Sequence, residues 1–99
     1  MVKDLTLNEL KEVLDNNKKV FIDFYADWCG PCRAMGPVVE ELSEEVNDVA
    51  FYKVNCDDEE ELAAHFQVTK IPCFFIIKDG TISSKVVGMR EKEDLLKLL

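Results

Sequence analysis

The chain has 99 residues, 47% of them apolar and 32% charged, which is enough apolar material for a core and too much for disorder. Its 20 acidic and 12 basic side chains leave a net charge of −8, so it lacks the cationic footprint that nucleic-acid phosphates require. No apolar run approaches the roughly 18 residues of a membrane span, and residues 1–5 (Met-Val-Lys-Asp-Leu) carry no signal-peptide core, so a cytosolic location is expected.

One domain is expected over residues 1–99, because no repeat, low-complexity tract or linker breaks the chain. Residues 2–5 can form a short first strand. Thr6 followed by Glu9 fits a capping box, and Leu7, Leu10 and Leu14 recur at helical spacing, which predicts a helix over 7–16 that Asn16 and Asn17 end. Residues 20–25 (Val-Phe-Ile-Asp-Phe-Tyr) are β-rich and almost wholly apolar, as in a central strand covered on both faces. A second helix begins near Pro31, with Met35, Val38, Val39, Leu42 and Val46 on its apolar side and Pro37 as a kink. Residues 49–55 read as the next strand. The acidic run 57–61 opens a short helix carrying Leu62 and Phe66, where the helix dipole favours negative charge. Residues 74–78 and 81–87 flank Asp79-Gly80, a strong two-residue hairpin signal, and a helix over 90–99 closes the chain with Leu95 inward. The order (β)αβαβαββα implies an α/β fold. Its parallel strands are joined by right-handed crossovers, it ends in an antiparallel hairpin, and helices cover both faces of a mixed sheet.

The four cysteines are Cys29, Cys32, Cys56 and Cys73. In a secreted mini-protein they would suggest a disulfide framework; in a reducing cytosol they suggest redox chemistry, a metal or simple burial. Cys-x-x-Cys alone is a weak signal, but here it lies between a buried strand and the start of a helix. Cys29 is thereby placed among unpaired backbone N–H groups at the positive end of the dipole, where a thiolate is favoured. A free thiol with pKa about 8.5 is only a few per cent ionised at pH 7, and roughly 2 kcal/mol of differential stabilisation would leave it half ionised. Cys29 would then attack a substrate disulfide. Cys32, one turn on and on the same face, would displace the product by attacking Cys29.

Asp23 is the second clue. A carboxylate inside an apolar strand is costly without a partner or a task, and burial raises its pKa. Near Cys32 it could accept the resolving thiol's proton, directly or through water, with Lys53 in the next strand as countercharge.

These residues resemble the thioredoxin family. Trp28-Cys29-Gly30-Pro31-Cys32 is its signature pentapeptide, residues 20–28 look like its buried strand with the aspartate, and Pro37 stands where its helix-kinking proline does. Ile71-Pro72 looks like its Ile-cis-Pro, Lys78-Asp79-Gly80 its hairpin turn and Gly88 its glycine beside the active site, so the likeness covers nearly the whole chain. The family is itself a standard illustration of a lowered thiol pKa. The resemblance implies a thioredoxin fold and a protein-disulfide reductase with Cys29 as nucleophile, Cys32 as resolving thiol, and Asp23 and Lys53 handling the proton. It implies that Trp28 covers the dithiol, that Ile71 offers its backbone to the client chain by strand addition, and that Gly30, Pro31, Pro72 and Gly88 give a flat, uncharged contact surface. It implies no bound cofactor, a monomer, recycling by a flavin- and NADPH-dependent thioredoxin reductase, and clients such as ribonucleotide reductase, peroxiredoxin and methionine sulfoxide reductase.

Two departures stand out. Tyr25 occupies a position where many thioredoxins have tryptophan, and Cys73 one where threonine is usual. Cys73 reads as a small buried strand residue or as a third thiol open to regulatory oxidation. Cys56 reads as a strand-end residue, and His65 as exposed. The rival classes are a zinc module built on the four cysteines and a non-catalytic interaction domain. The first lacks a second Cys-x-x-Cys; the second would be expected to have lost one active-site cysteine.

Overall fold

Side chains alternate across a strand, so the run at 19–25 must be buried twice over, and it takes the centre of a five-stranded sheet. The structure, a computed structural model, describes residues 1–99. Strands β1 (Lys3–Asp4), β2 (Lys19–Tyr25), β3 (Ala50–Asn55), β4 (Cys73–Lys78) and β5 (Thr81–Val87) are ordered β1-β3-β2-β4-β5. The β1–β3 and β2–β3 pairs are parallel; β2–β4 and β4–β5 are antiparallel. Four helices accompany them: α1 (Leu10–Asn16), α2 (Gly30–Glu45), α3 (Glu60–His65) and α4 (Lys92–Leu96). This is the thioredoxin fold that the sequence implied.

Some boundaries differ from those expected, two of them at the first and last helices. The helix expected from residue 7 opens as a 3-10 turn, Leu7–Glu9. The Glu9 carboxylate accepts the Thr6 N–H at 3.1 Å and the Thr6 hydroxyl at 2.9 Å, while the Glu9 N–H returns to the Thr6 carbonyl at 3.1 Å. Those bonds tighten the first turn below α geometry. The last helix is shorter than 90–99: Glu91 is extended before it, and beyond it Leu98 and Leu99 donate three residues back, to Leu95 and Leu96.

β2 parity divides the core. Val20, Ile22 and Phe24 pack with Val54, Cys73, Phe75 and Ile77 under α1 and α3, around Leu10, Leu62 and Phe66. Phe21 packs with Phe51, Phe74 and Ile76 under α2 and α4, around Met35, Val39, Leu42 and Leu95. Each fully buried phenylalanine contributes roughly 1.5–3 kcal/mol. Asp23 shares the parity of Phe21, so it faces α2. Lys92 ties α4 to α2, reaching Glu41 at 2.9 Å and Glu45 at 3.0 Å.

The hairpin turn has positive φ at both Asp79 (52°) and Gly80 (78°), the primed geometry its sequence predicts. β5 is an edge strand with a bulge: Ile76 faces Ser84 and Ile77 faces Ile82, leaving Ser83 without an opposite number. Bulges and charged side chains such as Lys85 blunt an exposed edge. No helix is long and apolar enough to cross a membrane.

Candidate active site

β2 ends in a turn in which the Cys29 N–H bonds the Ala26 carbonyl at 3.2 Å. This turn delivers Cys29 to the N-cap of α2 in an extended conformation (φ −86°, ψ 109°). Its Sγ accepts the Cys32 N–H at 3.2 Å, so the sulfur takes the place an N-cap oxygen normally has. Gly30 and Pro31 form the first helical turn, where proline's missing N–H removes a donor that would have no partner. Cys29 and Cys32 are joined as a disulfide across a Cα–Cα separation of 5.2 Å. Both are buried, and with Ala26 they form a small cluster against which Tyr25 and Ile71 pack. Further along α2, Pro37 sits inside the helix and cannot donate to the Arg33 carbonyl.

Trp28 is 70% exposed, and its indole N–H donates to Asp57 at 2.9 Å. Asp57 is held in turn by its own N–H, bonded to the Asn55 side chain at 2.9 Å. The sequence placed Asp57 in a solvated helix start, but the helix begins only at Glu60, and the residues before it form a turn facing Trp28. Nothing in the acidic run itself distinguishes Asp57 from its neighbours. On the other side, the Ile71–Pro72 peptide is cis, and the Pro72 carbonyl accepts the Gly88 N–H at 2.8 Å. Gly88 has φ 92°, which favours glycine. Exposed Val87 and Met89 flank it.

Asp23 lies behind Cys32. It is 6% exposed, and its Oδ1 has no hydrogen-bond partner. Its register partners are Lys53 on β3 and Phe74 on β4. Burial pushes its carboxyl up from 3.8 to about 7, with the Lys53 ammonium pulling the other way. A cavity of about 280 Å³ opens onto it, lined by Asp23, Tyr25, Asp27, Cys32, Arg33 and Lys53. The Arg33 guanidinium is held at its mouth by the Asp27 carbonyl at 2.9 Å. Asp23, Lys53 and Cys32 are thus brought together, as their positions in the sequence suggested.

The remaining thiols lie apart from this centre. Cys73 is 1% exposed and packs on the α1/α3 face, opposite Asp23; burial pushes its thiol up. That environment fits the first of its two readings, a small buried strand residue. Cys56 is half-buried just past β3, its N–H bonded to the Tyr25 carbonyl at 2.8 Å. Burial also raises its thiol, and neighbouring Asp57 adds to the effect. No three His, Cys, Asp or Glu side chains converge into a metal-ligand set. His65 is exposed.

Comparison with known proteins agrees with this geometry. The thioredoxin family model matches residues 1–99. Thioredoxin of Mycoplasmoides gallisepticum is 40% identical over 91 residues, 92% of this chain and 91% of that protein. An H-type thioredoxin of Picea mariana is 43% identical, over 89% of this chain and 70% of its own length. Among solved structures, a mutant thioredoxin from Halobacterium salinarum superposes with a TM-score of 0.90 at 37% identity, covering 98% of this chain and 85% of that one. A further neighbour, with TM-score 0.89 and 36% identity over 97% and 91% of the two chains, comes from work on thiol resolution in a yeast mitochondrial 1-Cys peroxiredoxin via glutathione/thioredoxin systems. With its dithiol capping α2 and its sequence aligned to that family from end to end, this chain belongs to the thioredoxin family and is a dithiol–disulfide oxidoreductase acting on proteins.

Proposed function

We propose that the chain works in the cytosol as a monomeric protein-disulfide reductase and electron carrier. The observation that carries this reading is the asymmetric setting of the two sulfurs. Cys29 Sγ accepts a backbone N–H at a helix N-terminus, whereas Cys32 lines the cavity of a buried carboxylate without a partner.

In the reduced protein the Cys29 thiolate attacks one sulfur of a client disulfide. The client S–S bond breaks, a Cys29–client mixed disulfide forms, and the first client thiolate leaves. Asp23 takes the proton from Cys32, whose thiolate attacks Cys29 Sγ. The Cys29–Cys32 bond forms, the mixed disulfide breaks, and the second client thiolate leaves and takes up a proton. Two electrons have passed from the dithiol to the client. Asp23 suits this role because its carboxyl titrates at about 7, so near neutrality it can both accept and return a proton. Lys53 keeps it from rising further. Trp28, held by Asp57, forms one wall for the client, and Gly30, Pro31, Pro72 and Gly88 leave the contact surface flat. The Ile71 backbone offers strand-addition bonds that are largely indifferent to client sequence.

The chemistry needs no bound cofactor. Reducing equivalents would come from a flavin- and NADPH-dependent thioredoxin reductase. Ribonucleotide reductase, peroxiredoxin and methionine sulfoxide reductase are client classes with the required disulfides.

Dithiothreitol-driven reduction of a protein disulfide tests the assignment. Cys29→Ser should abolish turnover, and Cys32→Ser should accumulate the mixed disulfide. Equal rates for wild type and Cys29→Ser would overturn the proposal. NADPH consumption on adding thioredoxin reductase and a client tests the electron source.

A further inference from the structure

Gly36 has no steric reason to be a glycine. It lies inside α2, its φ is not in the left-handed region, and a Cβ built on it would meet nothing within 4 Å. Glycine is the least favourable helix-interior residue after proline, so its presence here calls for another explanation. Position 36 is one turn after Cys32 and on the same side of the helix, and Gly36 lines the cavity above Asp23. Side chains on a helix lean toward its N-terminus and cover the turn before their own Cα. A side chain at 36 would therefore lie over Cys32 and the cavity mouth.

From this placement we propose that Gly36 is an access-setting position for the resolving step: the missing side chain keeps the cleft over Cys32 and Asp23 open to water. Through that water the proton taken from Cys32 exchanges with solvent. The inference rests on the reading of Asp23 as proton acceptor. The cleft is roomy enough, since about 280 Å³ is several times the roughly 30 Å³ share of one water. Asp23 Oδ1 is the one buried side-chain atom left without a protein partner, and a water in this cleft can supply it. The groups facing Asp23 are Lys53 from β3, Tyr25 and Asp27 from β2 and the turn after it, and Cys32 and Arg33 from α2. Its β4 neighbour, Phe74, is uncharged.

The test uses reduced protein and an aromatic disulfide, dithiobis-nitrobenzoate, which releases one coloured thiolate on capture by Cys29 and a second on resolution by Cys32. Gly36→Leu should slow the second phase about tenfold relative to the first, losing part of the ~10²–10⁴ that positioned acid–base groups supply. It should also move the Asp23 carboxyl titration, read by NMR, upward from about 7. Gly36→Met should do the same by a different shape, and Gly36→Ala should slow the second phase in the same direction but less than either, because a single methyl projects over the mouth without spanning it. In an Asp23→Asn background, Gly36→Leu should add nothing to the slowing. An unchanged phase ratio and midpoint in both large variants would overturn the inference, as would equal slowing with and without Asp23. If Asp23→Asn alone leaves the pH profile of resolution unchanged, the acceptor role of Asp23 falls; the NMR midpoint in Gly36→Leu still decides whether position 36 controls water access.

Discussion

Asp23→Asn should gain stability relative to the wild type as pH rises. The native carboxyl titrates at about 7, against 3.8 for the ordinary group. Between those values the folded chain holds a proton that the unfolded chain has released, so wild-type stability falls as pH rises from about 4 to about 7 and levels off above. At about 1.36 kcal/mol per tenfold change, the rise amounts to about 4 kcal/mol. Asparagine keeps the shape without the charge, so its profile lacks this fall. An amide left short of partners adds a constant offset of about 1–3 kcal/mol, which does not depend on pH. The readable quantity is therefore the change in the gap between variant and wild type. It should move by about 4 kcal/mol in favour of Asp23→Asn between pH 4 and pH 8, or about 15–30 °C in Tm for a domain this size. Urea unfolding of both oxidised proteins across that range measures it, and all other titrating groups cancel in the difference. A gap constant to within about 1 kcal/mol would refute the assignment of a desolvated carboxylate at this position.

Three further outcomes are expected. Lys53→Met removes the one cation that lowers the Asp23 carboxyl, so its NMR titration midpoint should rise above about 7; no movement would show that Lys53 does not act on it. Asp57→Ala frees the Trp28 indole and should raise KM for protein clients about 2- to 10-fold, the range of one hydrogen bond, with kcat near wild type and altered tryptophan fluorescence. Gln67 ends α3 with φ 56°, a conformation that disfavours a side chain, so Gln67→Gly should stabilise the fold by about 0.5 kcal/mol in urea unfolding.

Period and punctuation made most of the fold legible. The unbroken apolar run around Ile22 marked the central strand, Asp79-Gly80 the hairpin, and the placement of Cys29 before Gly30-Pro31 the N-cap. Asp23 stood out because a charge among Phe and Ile side chains demands a reason. What stayed hidden depended on partners distant in sequence. Asp57 looked like any other acid in its run until the chain turned it toward Trp28, 29 residues away. Gly36 looked like a scattered glycine until the helix set it over the Asp23 cleft. The 3-10 opening at Leu7–Glu9 stayed hidden because a capping box marks where a helix starts, not whether its first turn is 3-10 or α. The fate of Cys73 turned on strand parity: once Asp23 faces α2, its β4 neighbours Phe74 and Cys73 must point to opposite sides.

That parity has a further consequence. β2 and its neighbours stand as a bulkhead between the sulfur couple and the deep thiol on the far side. A polypeptide with four cysteines thus keeps its Cys29–Cys32 couple on one side of the sheet and the Cys73 thiol on the other. Slipping β4 by one residue would breach that wall, setting a thiol beside Asp23 and a phenylalanine in its place.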